Sequence, residues 1–308
     1  MEEIQHKYVT VNDGLKLHAV EIGSGPSVVL FCHGFPEIWY TWRHQMVAMA
    51  KAGYRAISFD YRGYGLSDQP PEPEKATFLD LISDILALVF IVGKDFGASV
   101  ANLFAVLHKK RVSAVVTLGL PFIRPAPTSQ LSLLPEGYYV RRWMEPGRAE
   151  ADFGRFDAKT VVRNIYILFS RNEMPLAKEN EEIMDLVKPS TPLPPWITEE
   201  ELAIYGALYE KSGFRTALKV TYRSFGETPN IKDPKIEVPA LLIMGEEDSV
   251  FRHPGMEDYI RSGEVEAVVP NLEVKYIPEG SHFVQEQFPD LVNELLLSFI
   301  SSHEGSEE

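Results

Sequence analysis

The amino-acid sequence predicts an α/β protein in which a mostly parallel β-sheet is flanked by helices and interrupted by a helical insertion. Apolar strand-like runs alternate with segments of helical spacing, the pattern of parallel strands joined by crossover helices. One such run, residues 89–92, ends in Gly93-Lys94-Asp95-Phe96-Gly97 and leads at once into an apolar helical segment, which indicates a sharp strand-to-helix turn. Strand signal is nearly missing from residues 122–234, which predicts an inserted block of helices.

The composition is that of a globular protein able to bury a full core. Of its 308 residues 45% are hydrophobic, and the formal net charge is −14 with a pI of about 5.1. Because binding to nucleic acids or anionic membranes relies on clustered Lys and Arg, this charge argues against both partners. The longest apolar run, residues 85–92, is too short to span a bilayer, and no signal peptide opens the chain. We expect a cytoplasmic protein, and a homodimer stays open.

The N-terminal part predicts a hairpin and the first strands of the sheet. Runs at 8–11 and 15–22 flank Asn12-Asp13-Gly14, whose residues tolerate positive φ in a tight turn. A buried strand at 27–32 contains Cys32, the single cysteine, which excludes an internal disulfide or a multi-cysteine zinc site and is expected to be buried. The other predicted elements here are a helix at 39–51 closed by Gly53, a strand at 54–59 and a helix at 78–88.

The junction between the helix at 78–88 and the strand at 89–92 is unusual. A crossover helix must end and reverse before its strand begins, yet no Gly, Pro or Asn separates Leu88 from Val89. Either the helix is shorter than its apolar spacing suggests and its last residues form the turn, or the chain folds poorly here. We expect a locally strained segment.

The remaining elements define the domain boundaries. Strand signal after the turn occurs at 112–118, 240–244 and 273–277, and helical spacing occurs at 98–107, 158–170, 199–211, 215–225 and 291–302, with a Pro-rich linker at 189–195. These positions predict a core domain of residues 1–121 and 235–308 and a helical cap of residues 122–234.

The strand-to-helix turn presents Asp95 where related turns usually carry a serine nucleophile. A carboxylate is unsuited to acyl transfer, but it can attack an sp³ carbon and become half of an alkyl ester. Asp95 is therefore a candidate nucleophile for alkyl transfer, although Gly and Asp are also common turn residues.

Two later strands end in residues that would complete a catalytic triad. The strand at 240–244 is followed by Gly245-Glu246-Glu247-Asp248, and the strand at 273–277 by Pro278-Glu279-Gly280-Ser281-His282. Because functional groups in such sheets cluster beyond the carboxyl ends of strands, we expect these side chains to meet Asp95. His282 would be the general base, held by Asp248, with Glu246 or Glu247 as alternative acids.

A further loop, His33-Gly34-Phe35-Pro36, directly follows the strand at 27–32. Backbone N–H groups in this position can stabilise a developing oxyanion, and the N–H after the nucleophile is the usual partner. Phe35 and Phe96 are the predicted oxyanion-hole donors, although the loop could also be a plain strand-ending turn.

Three segments together resemble the soluble epoxide hydrolases of the α/β-hydrolase fold, most closely the plant forms: residues 33–37, residues 93–98, and residues 139–147 with the sequence Tyr-Val-Arg-Arg-Trp-Met-Glu-Pro-Gly. The resemblance implies that Asp95 opens an epoxide, that Tyr139 and Tyr222 in the cap hydrogen-bond the epoxide oxygen, and that water completes hydrolysis to a vicinal diol. It implies no metal and no organic cofactor. Positioned phenols suit this chemistry because an alkoxide is a poor leaving group near neutral pH.

Phe96 and the Leu88-Val89 junction depart from the family pattern, which has Trp after the nucleophile and a longer helix end. Haloalkane dehalogenases also use an aspartate but hold the leaving halide with that Trp, so Phe96 argues against dehalogenation. A receptor built on the same scaffold is a second alternative, although a receptor has no need for the full set of triad residues and tyrosines.

Overall fold

A computed structural model describes residues 3–11, 13–85, 89–124, 134–224 and 231–304. These residues form one eight-stranded sheet in the order β1-β2-β4-β3-β5-β6-β7-β8. The strands are β1 (Gln5–Thr10), β2 (Lys16–Ile22), β3 (Val28–Cys32), β4 (Arg55–Phe59), β5 (Val89–Lys94), β6 (Val112–Leu118), β7 (Ala240–Gly245) and β8 (Leu272–Ile277).

The sheet is mostly parallel, as the sequence predicts. β2 pairs antiparallel with β1 and β4, whereas all pairs from β4 through β3, β5, β6 and β7 to β8 are parallel. All six residues of β5 are buried, because helices cover both faces of the sheet at its centre.

The helices are divided between the two faces. They are α1 (Arg43–Lys51), α2 (Phe78–Ser83), α3 (Phe96–Leu107), α4 (Tyr139–Met144), α5 (Arg148–Phe153), α6 (Ala158–Phe169), α7 (Glu199–Ser212), α8 (Arg215–Leu218), α9 (Met256–Arg261), α10 (Val284–Gln287) and α11 (Pro289–Ser302). Alternate residues of a strand point to opposite faces. Thus Phe31 and Val92 share a core with residues of α1 and α11, whereas Cys32 and Ile91 share the other with residues of α3. Cys32 is fully buried, as expected.

The segment between β6 and β7 contains helices α4 to α8 and no strand within its described residues. The helix predicted at 215–225 is shorter: α8 ends at Leu218, and Lys219–Arg223 form a π-helical turn, while Phe225 lies outside the described residues. The division into a core and a cap at residues 121/122 and 234/235 stays a prediction. None of the described helices is both long and apolar enough to cross a membrane.

Helix α2 ends at Ser83 and not at Leu88, which agrees with the first alternative, a helix shorter than its apolar spacing suggests. Just beyond its end, the Asp84 carboxylate is held by two hydrogen bonds of 2.6 and 2.9 Å from the Arg62 guanidinium, and the Ile85 N–H bonds back to Ile82. A buried ion pair thus lies directly after the last residue of the helix. Residues 86–88 lie outside the described residues, and local strain at this junction stays a prediction.

Candidate active site

Asp95 lies in the turn between β5 and α3 and has a backbone φ of 52° and ψ of −117°. Positive φ is uncommon for a residue with a side chain, and it is kept here because the surroundings leave the turn no room to relax. A Cβ on Gly93 would lie 2.2 Å from the Gly97 carbonyl oxygen, and one on Gly97 would lie 2.1 Å from that of Cys32. The two glycines let the backbones cross closely, so that the turn holds the Asp95 side chain at the end of the sheet.

The structure brings Asp95, His282 and Asp248 into one line. The Nε2 atom of His282 is 3.3 Å from Oδ2 of Asp95, and its Nδ1 atom is 2.9 and 3.0 Å from the two carboxylate oxygens of Asp248. Of the alternative acids, Glu246 pairs instead with Arg261 at 2.7 Å on the surface. The acid that contacts the histidine is therefore Asp248, which also accepts a hydrogen bond from the Val250 N–H.

Burial and the attraction between opposite charges together set the protonation states of Asp95 and His282. Burial by itself favours the neutral forms, but the charge of Asp248 and hydrogen bonds to both carboxylates outweigh it and raise the pKa of His282 to about 9. For Asp95, burial is likewise outweighed by the hydrogen bond and charge of His282 and by the charge of Lys94, which lower its pKa to about 2. The free site thus holds a carboxylate beside an imidazolium at neutral pH.

The two predicted oxyanion donors both face Asp95. The Phe35 N–H donates to Oδ1 of Asp95 at 3.3 Å, and the Phe96 N–H is a second donor that lowers the pKa of this carboxyl. The loop that carries Phe35 is tightly confined, because a Cβ on Gly34 would lie 2.8 Å from Oδ1 of Asp95 and 2.5 Å from Oε2 of Glu37. Next to it, burial lowers the pKa of His33 to about 4, so this histidine is neutral.

Tyr139 and Tyr222 come from different elements and meet in the site. Tyr139 begins α4, Tyr222 lies in the π-helical turn after α8, and their ring centroids are 6.1 Å apart at an interplanar angle of 87°. The Tyr222 ring also lies 5.7 Å from that of Phe35. Burial raises the pKa of each phenol well above 10.0, and the nearby Asp95 charge adds to this, so both stay protonated and can donate a proton.

Sequence reasoning missed two charged residues close to Asp95, Glu37 and Lys94. The Glu37 carboxylate is fully buried and accepts hydrogen bonds from the Gly34 N–H at 2.8 Å, from Gln285 at 2.7 Å and from Thr41 at 3.1 Å. The Lys94 ammonium is 3.8 Å from it and is fully buried too. Lys94 could have been noticed as the only charged residue in the otherwise apolar strand β5.

Metal binding is a separate question. Over the described ranges, no cluster of three or more His, Cys, Asp or Glu side chains could hold a metal ion.

The sheet topology and the turn at Asp95 define an α/β hydrolase, and the alpha/beta hydrolase fold family matches residues 27–289. Epoxide hydrolase 2 of Siraitia grosvenorii is 36% identical over 318 aligned residues that cover 97% of this chain and 99% of the relative. Bifunctional epoxide hydrolase 2 of Rattus norvegicus is 35% identical and is matched over 56% of its own length.

Solved structures agree with these relatives. An epoxide hydrolase from Vigna radiata superposes with a TM-score of 0.89 at 34% identity, covering 97% of this chain and 98% of the other. A variant of potato epoxide hydrolase superposes with a TM-score of 0.87 at 33% identity, covering 97% and 100%. The chain belongs to the epoxide hydrolase family and is a hydrolase.

Proposed function

We propose that this enzyme converts an epoxide to a vicinal diol through a covalent ester on Asp95. An Oδ atom of Asp95 forms a bond to one epoxide carbon while the bond from that carbon to the epoxide oxygen breaks. The oxygen leaves as an alkoxide that takes a proton from Tyr139 or Tyr222. The observation that carries the proposal is the position of two protonated phenols and a carboxylate around one site.

Hydrolysis of the ester then regenerates Asp95. Nε2 of His282 removes a proton from water, and the hydroxide adds to the Asp95 carboxyl carbon. The resulting oxyanion is stabilised by the Phe35 and Phe96 N–H groups, as Oδ1 of Asp95 already accepts from Phe35. The tetrahedral intermediate collapses and the bond between the Asp95 carboxyl carbon and the diol oxygen breaks. Protons return to this oxygen and to the tyrosine, and the diol leaves. Asp248 keeps the imidazole oriented and stabilises its charged form.

We propose that the substrate is a lipophilic epoxide, such as an epoxy fatty acid or an aryl epoxide. The surroundings of the two tyrosines are aromatic: Trp143 lies 5.1 Å from each tyrosine ring, and Phe169 lies 4.9 Å from Tyr139 and 5.5 Å from the His282 ring. In this proposal residues 122–234 act as a cap that carries both phenols and most of this apolar lining to the core.

The test is the intact mass of a His282→Gln variant after separate incubation with an epoxidised fatty acid, an aryl epoxide and a haloalkane. Removing the base should stop the second step, so the protein should gain the mass of the epoxide. The gain should vanish when Asp95→Asn is added. The matched control is His44→Gln, which changes an exposed histidine and should turn the epoxide over without accumulating an adduct.

Two other outcomes would overturn the proposal. An adduct from the haloalkane alone would make the enzyme a dehalogenase. No adduct from a folded His282→Gln protein, together with no diol from the unmodified enzyme, would favour a receptor that binds without turnover.

A further inference from the structure

Lys94 occupies a position that the strand pattern reserves for an apolar residue. It is the last residue of β5 and follows Phe90 and Val92 at the spacing of two that places residues on the same face. Those two residues lie in the core shared with α1 and α11. The Lys94 side chain is fully buried, directly before the nucleophile in the chain.

The contacts of Lys94 are weak for a buried charge. Its Nζ atom is 3.8 Å from Oε1 of Glu37 and 4.7 Å from the centroid of the Phe283 ring, and it makes no hydrogen bond to any described residue. By contrast, the neighbouring Arg43 donates hydrogen bonds of 2.6 Å to Glu286 and Glu201. Burying an ammonium costs free energy unless it is well paired. A contribution to folding stability therefore does not explain why Lys94 occupies this position.

What Lys94 does provide is a positive charge between the nucleophile and the base, because it directly precedes Asp95 in the chain and its Nζ lies over the ring of Phe283, the residue after His282. Its charge helps to lower the pKa of Asp95, offsets part of the rise that burial causes in the pKa of Glu37, and opposes the protonation of His282. His282 is faced by two carboxylates that favour its protonated form, Asp248 and Asp95, with the Glu37 carboxylate nearby. Lys94 acts against these carboxylates.

The balance between these charges changes during the reaction. In the free enzyme the two carboxylates outweigh Lys94, and His282 carries a proton. Alkylation turns Asp95 into a neutral ester, which removes one of the two carboxylates, whereas the charge of Lys94 stays. The imidazolium then has less compensation, but it must lose its proton before it can act as a base on water.

We propose that Lys94 is a positioning residue whose fixed charge drives the proton off His282 once Asp95 has become an ester. The proton passes from Nε2 to solvent water, and the neutral imidazole then takes a proton from the hydrolytic water. No bond to Lys94 forms or breaks. The inference rests on the proposed function, because it requires an alkyl-enzyme on Asp95.

The test separates the formation of the alkyl-enzyme from its breakdown. Single turnovers with an aryl epoxide are quenched at intervals across about pH 5 to about pH 10, and the adduct is followed by intact mass. In Lys94→Met the pH at which the breakdown rate is half its maximum, called the breakdown midpoint, should rise by about one pH unit. Below this midpoint, breakdown should be about tenfold slower. The rate of adduct formation should change by less than about threefold. Because breakdown is slowed and formation is not, kcat and KM should fall together and the adduct should accumulate.

Two further variants separate the charge from packing. Lys94→Arg keeps the charge and should restore the breakdown midpoint of the unmodified enzyme. Glu37→Gln removes a negative charge beside Lys94 and should move the midpoint in the opposite direction, downward, which a packing defect would not do. Should Lys94→Met fail to fold, Lys94→Gln and Glu37→Gln must still shift the midpoint in opposite directions.

An adduct that forms and decays in Lys94→Met with the midpoint of the unmodified enzyme would overturn this inference and leave the proposed function intact. A midpoint that moves alike in Lys94→Met and Lys94→Arg would also overturn it, because the charge would then be irrelevant. The absence of any adduct, even in His282→Gln, would instead refute the proposed function.

Discussion

Replacing Glu286, the one carboxyl residue of α10, by Gln should strongly destabilise this enzyme. The Glu286 carboxylate is buried and joins the helical segment to the sheet domain. It accepts hydrogen bonds from Tyr166 on α6 at 2.8 Å and from Tyr205 on α7 at 3.1 Å. It also accepts one from Arg43 at 2.6 Å, at the start of α1, and lies 3.1 Å from the Thr41 hydroxyl.

The size of the effect follows from the number and kind of these contacts. The amide keeps the shape of the carboxyl but loses its charge, and its NH2 group faces donors instead of acceptors. Breaking a buried ion pair by removing one partner costs about 3–5 kcal/mol, and each phenol left without an acceptor costs about 1–3 kcal/mol on its own. These costs overlap because Arg43 keeps its contact with Glu201 at 2.6 Å. We expect a loss of about 3–5 kcal/mol in the free energy of unfolding.

The assay is equilibrium urea unfolding followed by tryptophan fluorescence, with the slope compared between variants to detect a change in cooperativity. The matched control is Glu279→Gln, at an exposed position in the loop after β8. Its free energy of unfolding should stay within about 0.5 kcal/mol of that of the unmodified enzyme. A loss below about 1 kcal/mol for Glu286→Gln would refute the reasoning, since one ordinary hydrogen bond would account for it. An Arg43→Met and Glu286→Leu double variant should lose less than the sum of the single changes.

Two further predictions concern the nucleophile loop and pH. Gly34→Ala should lower kcat by at least about tenfold with a smaller change in stability. The reason is that the new Cβ would lie 2.8 Å from Oδ1 of Asp95 and must displace this atom. An unchanged kcat in a folded variant would contradict this prediction. Because the folded state raises the pKa of His282 from 6.5 to about 9, the stability that this group contributes is complete below pH 6.5 and is lost as pH rises through 9. Urea unfolding should therefore show a decline over that interval, and His282→Gln should lack it; an equal decline in both proteins would assign it to other groups.

The parts of this protein that sequence alone determined are those governed by local sterics and periodicity. The alternation of strands and helices predicted the mostly parallel sheet, and the glycines on either side of Asp95 predicted a sharp turn whose backbones pass too closely for side chains at those two positions. The order of Asp95, Asp248 and His282 along the chain predicted which side chains would meet, because each follows a parallel strand that ends at the same edge of the sheet. The choice of Tyr139 and Tyr222 among the many tyrosines depended on a family resemblance.

Other features depend on contacts between residues far apart in the chain, and only the tertiary structure decided them. Helix α2 ends at Ser83, and the next residue, Asp84, forms a buried ion pair with Arg62 that no apolar spacing encodes. Lys94 and Glu37 lie far apart in sequence, yet both are buried beside Asp95. Likewise, Glu286 has its partners on three separate helical elements. Charge pairing in a core depends on which strands and helices become neighbours, and that is settled when the sheet and the inserted helices pack together.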